Sequence, residues 1–164
     1  MSKSPNRVHE PGTALPSYLF DAKLPRRRIL RGRRVFQQLF SNEAITFNTP
    51  KLQLRLVVHD APGERVEGVK MAFIVKRKLG KAHLRNRNKR LLREAYRHHQ
   101  YLLRTAAYVG DIQIYGALLS RTLFDSCHTV NELVQQVLNR AQDHLIRNHV
   151  PDNKAHILEF KKSE

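Results

Sequence analysis

The chain has a single cysteine, Cys127, and no tryptophan. One thiol cannot close an internal disulfide, nor can it build a multi-cysteine metal site. No apolar run approaches the roughly 20 residues that span a bilayer, and the opening "MSKSPNRVHEPG" lacks the apolar core of an export signal. These absences point to a cytoplasmic chain. Acidic residues are scarce: 14 Asp plus Glu stand against 30 Lys plus Arg, a net charge of +16 with histidine neutral. Such a surface seeks polyanions, nucleic acid ahead of an anionic membrane or an acidic protein. There is no internal repeat and no low-complexity tract.

Apolar residues make up 41% of the 164 positions, enough for one domain with a real core. Residues 1–24 mix proline, glycine, serine and charge without periodicity, and Pro151 should close the last helix, so 1–24 and 148–164 read as tails, leaving 25–147 as the domain. Within it, Val35, Phe36, Leu39 and Phe40 recur at helical spacing behind the basic run "PRRRILRGRR". "KLQLRLVVH" alternates, with Leu52, Leu54, Leu56 and Val58 on one face, as a half-buried strand does. "VKMAFIV" is apolar throughout and suits a strand covered on both faces in mid-sheet. "NEAITFN" and "DIQIYG" supply two more strands, with "DAPGERVEG" as a turn. A long helix is expected over 84–103. A last helix starts near Thr129 and Glu132, which form a capping box, and carries the apolar stripe Val130, Leu133, Val137, Ala141 and Leu145. The order α-β-β-β-α-β-α implies an α/β two-layer sandwich.

The densest charge lies at "RNRNKR", residues 85–90. On a helical wheel, Leu84, Leu91, Leu92, Ala95 and Leu102 share one side. Arg85, Asn86, Lys89, Arg90, Arg93 and Arg97 gather on the other, with Arg87 at the border. A charge run is most often a solvated helix face. A solvated face, however, intersperses glutamate at i,i+4, because like charges at that spacing each cost a few tenths of a kcal/mol, and here only Glu94 is acidic. Guanidinium groups bind phosphate bidentately and stack on bases, so the choice of arginine favours a nucleic-acid backbone as the missing counter-charge. Neutralising about six phosphates would lower affinity roughly 10³-fold between 50 and 200 mM salt.

The stretch "KRKLGKAHLRNRNKRLLREAYR", residues 76–97, closely resembles the signature of the bacterial ribonuclease P protein subunit, and "RRRILRGRRVFQQLF" is similar to that family's N-terminal helix. The resemblance covers roughly residues 25–147. It implies a protein that assists a catalytic RNA in removing the 5′ leader of precursor tRNA. It also implies a fold like a ribosomal-protein S5 domain with a left-handed βαβ crossover. By the same resemblance, Arg85, Asn86, Arg87, Lys89, Arg90 and Arg93 face the RNA subunit. Phe36 and Phe40, with Lys76, Arg77 and Lys78, border a cleft for the single-stranded leader. A leader of variable sequence suits aromatic stacking in a charged groove, which is worth about 1 to 3 kcal/mol per base and needs no base-specific hydrogen bond. The chain departs from the family in having Lys76 and Arg77 where a serine is usual, and Asn88 where an apolar residue is usual.

No catalytic constellation of side chains emerges. Glu94 sits between Arg90 and His98 at i,i+4 and reads as a helix ion pair. Asp111 stands alone at a strand start. His83, His98 and His99 have no metal-ligand spacing and read as surface residues. Cys127 beside His128 reads as a small buried residue. Phosphodiester cleavage is therefore expected to use Mg²⁺ held by RNA and substrate. Two other classes share part of this pattern. A ribosomal or RNA-assembly protein would carry the charge and fold without a reason for the phenylalanine pair, and a protein-only nuclease would need clustered carboxylates.

Overall fold

The alternation read from residue 52 onward does place one side of the chain in a core. The computed structural model describes residues 15–61 and 68–159; residues 1–14 of the expected N-terminal tail, 62–67 of the expected turn and 160–164 lie outside the described residues. Strand β1 (Ile45–Asn48) pairs antiparallel with β2 (Leu52–Asp60), β2 pairs antiparallel with β4 (Ile112–Ser120), and β4 pairs in parallel with β3 (Val69–Val75). The sheet order is β1-β2-β4-β3. Helices are α1 (Arg33–Leu39), α2 (Ala82–His99), α3 (Tyr101–Gly110), α4 (Cys127–His149) and α5 (Asp152–Glu159).

One sheet face carries Leu52, Leu54, Leu56, Val69, Met71, Phe73, Val75, Ile112, Ile114 and Leu118, all buried under α2, α3 and α4. Period-two alternation then puts Ala72, Ile74, Tyr115, Ala117, Leu119 and Val57 on the other face, where Leu30, Leu39, Val35 and Phe36 from α1 and its lead-in cover them. Mid-strand, Gly116 leaves room for the side chains of its neighbours on β2 and β3: a Cβ there would lie 2.8 Å from Met71 and 2.9 Å from Leu56.

Several expectations change. The "VKMAFIV" strand is not in mid-sheet but at the edge; it is buried on both faces because helices pack on each, and residues 29 and 30 bond to its outer side at Met71. β4 is the central strand instead. The expected 84–103 helix divides at Gln100, where α3 begins and carries the chain back to β4. Gln100 is buried, and its Nε2 donates to Asp21 O (3.1 Å) and Lys23 O (3.0 Å). From the next turn Arg104 Nη1 donates to Leu19 O (3.1 Å) and Asp21 O (3.2 Å). Residues 15–24, read as part of a tail, are thus pinned to α3 by their own carbonyls, with Leu19 buried. Beyond residue 148 the chain also continues in structure, as α5, whose Leu158 packs with Val109, Val150 and Leu15. Its Lys154 Nζ lies 3.1 Å from Asp111 Oδ2, so Asp111 is not alone.

The capping box at Thr129 is not used. Helix α4 begins two residues earlier, with Ser126 Oγ accepting from His128 N (3.2 Å), and Cys127 in its first turn is exposed, not buried. Leu133 is only half-buried, while Val134 and Leu138 complete the stripe.

Asn88 has a larger role than its departure from the family suggests. It is 2% exposed; its Nδ2 donates to Leu84 O (3.1 Å) and its Oδ1 accepts from Phe124 N (2.7 Å). This side chain fixes the segment between β4 and α4 to α2. Asn88→Ala leaves the buried Phe124 N–H without an acceptor and is expected to lower the unfolding free energy by about 1–3 kcal/mol. An unchanged urea midpoint would show that the bond contributes nothing.

Candidate RNA-binding surfaces

The orientation of α2 follows from what it buries: Asn88, Leu92, Ala95 and Tyr96. Asn88 and His99 turn toward α4 and its lead-in, His99 Nε2 lying 3.0 Å from Asn131 Oδ1. Tyr96 stacks edge-on against Phe73 of β3 (5.6 Å between ring centres). Burial pushes the Tyr96 phenol well above its ordinary range. Anchored on those two sides, the helix presents the rest of its circumference outward.

That outward arc divides in two. Arg85, Lys89 and Arg93, at i, i+4 and i+8, run along the flank over β3, away from α4. Arg93 lies with its guanidinium carbon 5.9 Å from the Phe73 ring centre. Arg85 is half-buried, not on the solvent side where the wheel placed it, and its Nε is shut from water with no partner among the described residues. Asn86, Arg87 and Arg90 are exposed. Leu84 and Leu91, expected in the core, are only half-buried. The acidic Glu94 is engaged by Arg97 and by His98 (3.1 Å); the Arg97 hydrogen bond leads in holding its carboxyl below the usual carboxylate range. Among the described residues, no carboxylate pairs with Arg85, Arg87, Lys89, Arg90 or Arg93.

The second surface lies on the opposite sheet face. Helix α1 crosses it from the β3 edge toward β2, where Arg55 holds its C-terminal end by donating from Nε to Leu39 O and from Nη2 to Ser41 O (2.9 Å). Phe36 is half-buried against the sheet, packed with the group that includes Leu119, whereas Phe40 is 49% exposed with the Arg55 guanidinium 5.5 Å from its ring centre. Beside α1 at the far end of β3 lies a small cavity of about 250 Å³ lined by Gln53, Lys76, Lys78, Leu119 and Arg121. Lys76 and Lys78 therefore meet there, and Arg77, though exposed, does not line it. Arg121 is held by its Nη2 bond to Asn48 Oδ1 (2.9 Å), which also accepts from Gln53 Nε2 (2.8 Å).

Sequence reading missed Arg55, Gln53 and Arg121. The only signal was the alternation of β2, which set Gln53 and Arg55 opposite the leucines without showing that α1 would lie over that face. Among the described residues no group of three or more His, Cys, Asp or Glu side chains could hold a metal ion. No helix among them is long and apolar enough to cross a membrane.

A mixed α/β domain with a four-stranded sheet, one cationic helix whose arginines largely lack carboxylate partners among the described residues, and a small basic cavity on the other sheet face has the make-up of an RNA-binding protein. The family model for ribonuclease P matches residues 24–142, and the chain belongs to that family. The solved structure of the Staphylococcus aureus RNase P protein shares the fold: TM-score 0.53 at 16% identity, over 70% of this chain and 94% of that one. The RNase P protein from Thermotoga maritima aligns at 25% identity over 70% of this chain and 97% of its own, with a TM-score of 0.49. No curated protein matches the chain in sequence. The protein is thus a ribonuclease P protein subunit, a component of tRNA processing.

His99 ties the placement of α2 to pH. Burial, more than any other cause, holds its pKa below the ordinary 6.5, with the Asn131 bond acting the other way. Folding therefore favours the neutral ring. The contribution is fully present above pH 6.5 and is lost as pH falls from there through the lower folded value. The stability difference between wild type and His99→Gln is expected to shrink as pH is lowered from 7.5 to about 5. A difference that does not vary across that window would show that His99 does not titrate against folding.

Proposed function

We propose that the exposed arc of α2 binds the RNA subunit of ribonuclease P, and that the cleft beside α1 binds the 5′ leader of precursor tRNA. The single observation behind this reading is the charge balance of α2: Arg85, Arg87, Lys89, Arg90 and Arg93 have no carboxylate partner among the described residues, while the helix is fixed from behind by buried contacts. A phosphate backbone supplies the counter-charge, and Asn86 adds amide donors for a phosphate or 2′-hydroxyl. On that sheet face Phe40 offers an open ring face to a base and Phe36 a half-covered one, while Lys76, Lys78 and Arg121 surround space for a phosphate, with Arg77 exposed beside them. This is sequence-tolerant chemistry, suited to leaders that differ from one precursor to the next.

On this reading the complex is a ribonucleoprotein endoribonuclease acting in the cytoplasm. The protein raises local positive potential and holds substrate, and bond cleavage belongs to the RNA. On the same reading Mg²⁺ is held by RNA and substrate phosphates, and the protein's part is the positive potential around them.

The test is cleavage of a precursor tRNA at low Mg²⁺ by RNA subunit alone, protein alone and the two together. Stimulation in the mixture only is expected, and cleavage by the protein alone contradicts the reading. In the same assay Arg85→Ala with Arg90→Ala should weaken assembly with the RNA. Phe40→Ala should lower affinity for leader-bearing precursor by about 1–3 kcal/mol while sparing mature tRNA. Equal losses for precursor and mature tRNA would remove Phe40 from the leader site.

A further inference from the structure

A second cationic surface lies outside both sites above. From residue 22 to residue 42 the sequence contains no Asp or Glu but has seven cationic residues, Lys23, Arg26, Arg27, Arg28, Arg31, Arg33 and Arg34. Arg28 faces inward and is 9% exposed. Arg26, Arg31, Arg33 and Arg34 are exposed, and none of the four is paired with a carboxylate among the described residues.

Their place in the fold gives this excess a direction. Ile29 bridges in parallel to Met71, and Leu30 N donates to Met71 O (3.0 Å), so the segment runs along the free edge of β3 in the same sense as the strand. Arg26 therefore precedes and Arg31 follows the bridged pair along that edge. At Gly32, whose φ of 109° allows a sharp change of course, the chain turns under the sheet and Arg33 and Arg34 open α1. The edge lies between two layers: α2 above, with the Lys89 and Arg93 flank on the side away from α4, and α1 below. A nucleic-acid strand, which carries phosphates at intervals of a few ångströms, could follow this edge from one layer to the other.

Arginines at a sheet edge also guard against strand pairing between molecules. Residues 29 and 30 already occupy the edge at Met71, however, and one or two charges would be enough for that purpose. Four guanidiniums in nine positions, none with a carboxylate partner among the described residues, exceed it.

We infer that Arg26, Arg31, Arg33 and Arg34 form a second phosphate-binding ridge, by which an RNA backbone engaging α2 continues around the β3 edge to the α1 side of the protein. The inference rests on the α2 assignment proposed above but concerns different residues, so the two can fail separately.

The test uses the full chain carrying Arg26→Gln, Arg31→Gln, Arg33→Gln and Arg34→Gln together, its counterpart with lysine at the same four positions, and the Arg85→Ala, Arg90→Ala protein. Each is titrated with the RNA subunit alone, and then with leader-bearing precursor tRNA added to the assembled complex, over a range of salt concentrations. The glutamine variant is expected to lose about tenfold or more in affinity at 0.15 M salt. The slope of log affinity against log salt should become shallower by roughly two to four, about one for each phosphate no longer neutralised. The lysine variant should keep most of both. A loss seen with the RNA subunit alone supports the ridge, whereas a loss confined to the precursor step would overturn the continuation from α2 and give these arginines to substrate phosphates instead. Should the four-fold variant fold poorly by its urea midpoint, Arg33→Gln with Arg34→Gln alone, both in exposed positions, should show about half the change in slope. Wild-type affinity and slope in the glutamine variants, alongside weakened binding by the α2 variant, would overturn the ridge and leave the α2 reading standing. Wild-type behaviour in all of them would overturn both.

Discussion

The structure depends on a charge imbalance held in place by packing. Helix α2 crowds cations along one arc with one carboxylate nearby, and Glu94 is taken up by Arg97 and His98. Left to itself, such a helix loses a few tenths of a kcal/mol for each like-charge neighbour. It stays folded here because its other arc is buried: Leu92, Ala95 and Tyr96 lie in the main core, and Asn88 fastens the β4–α4 connection to it. Burying a large apolar side chain is worth about 1.5–3 kcal/mol, so a few such side chains outweigh the repulsion. The cationic arc is then free to be selected for a partner.

The same logic organises the periphery. Gln100 and Arg104 direct their donors to carbonyls of residues 19–23, so the point where α2 gives way to α3 is braced from outside the span that matches the family. Across the sheet, Arg55 ties down the end of α1 through two carbonyls while its guanidinium lies by Phe40. In each case an arginine inside the fold is satisfied by backbone oxygen, whereas Arg85, Arg87, Arg90 and Arg93 on α2 and Arg26, Arg31, Arg33 and Arg34 along the β3 edge and the start of α1 have no carboxylate among the described residues. The contrast separates structural arginines from those available to an external anion.

Much of this was legible in the sequence because period governs burial. The leucines of β2 announced their face, and the apolar stripe of α4 announced its own, within one turn of the helix start. The α2 arc was legible in its composition but not in its exact rotation. Arg85 shares the inner edge with Tyr96, since Asn88, a polar residue, sits at the centre of the buried side where a hydropathy wheel expects leucine. The edge position of β3 was not legible at all. Cover by helices on both faces makes an edge strand as apolar as a central one, and sheet order is a long-range property. The packing of residues 15–24 was equally hidden, because it rests on backbone carbonyls, which carry no sequence signal, meeting Gln100 and Arg104 about 80 residues away. In the candidate leader cleft the phenylalanines and lysines could be named beforehand, while Arg55, Gln53 and Arg121 come from other strands and joined them only in three dimensions.

The central claim is that the α2 cations receive their counter-charge from RNA. Covalent modification of arginine, followed residue by residue by mass spectrometry with and without the RNA subunit, tests it most directly. The account predicts that Arg87, Arg90 and Arg93 lose reactivity when the RNA is added, while the exposed Arg147 on α4 keeps it. Undiminished reactivity of all three in a complex shown to be intact would contradict the account.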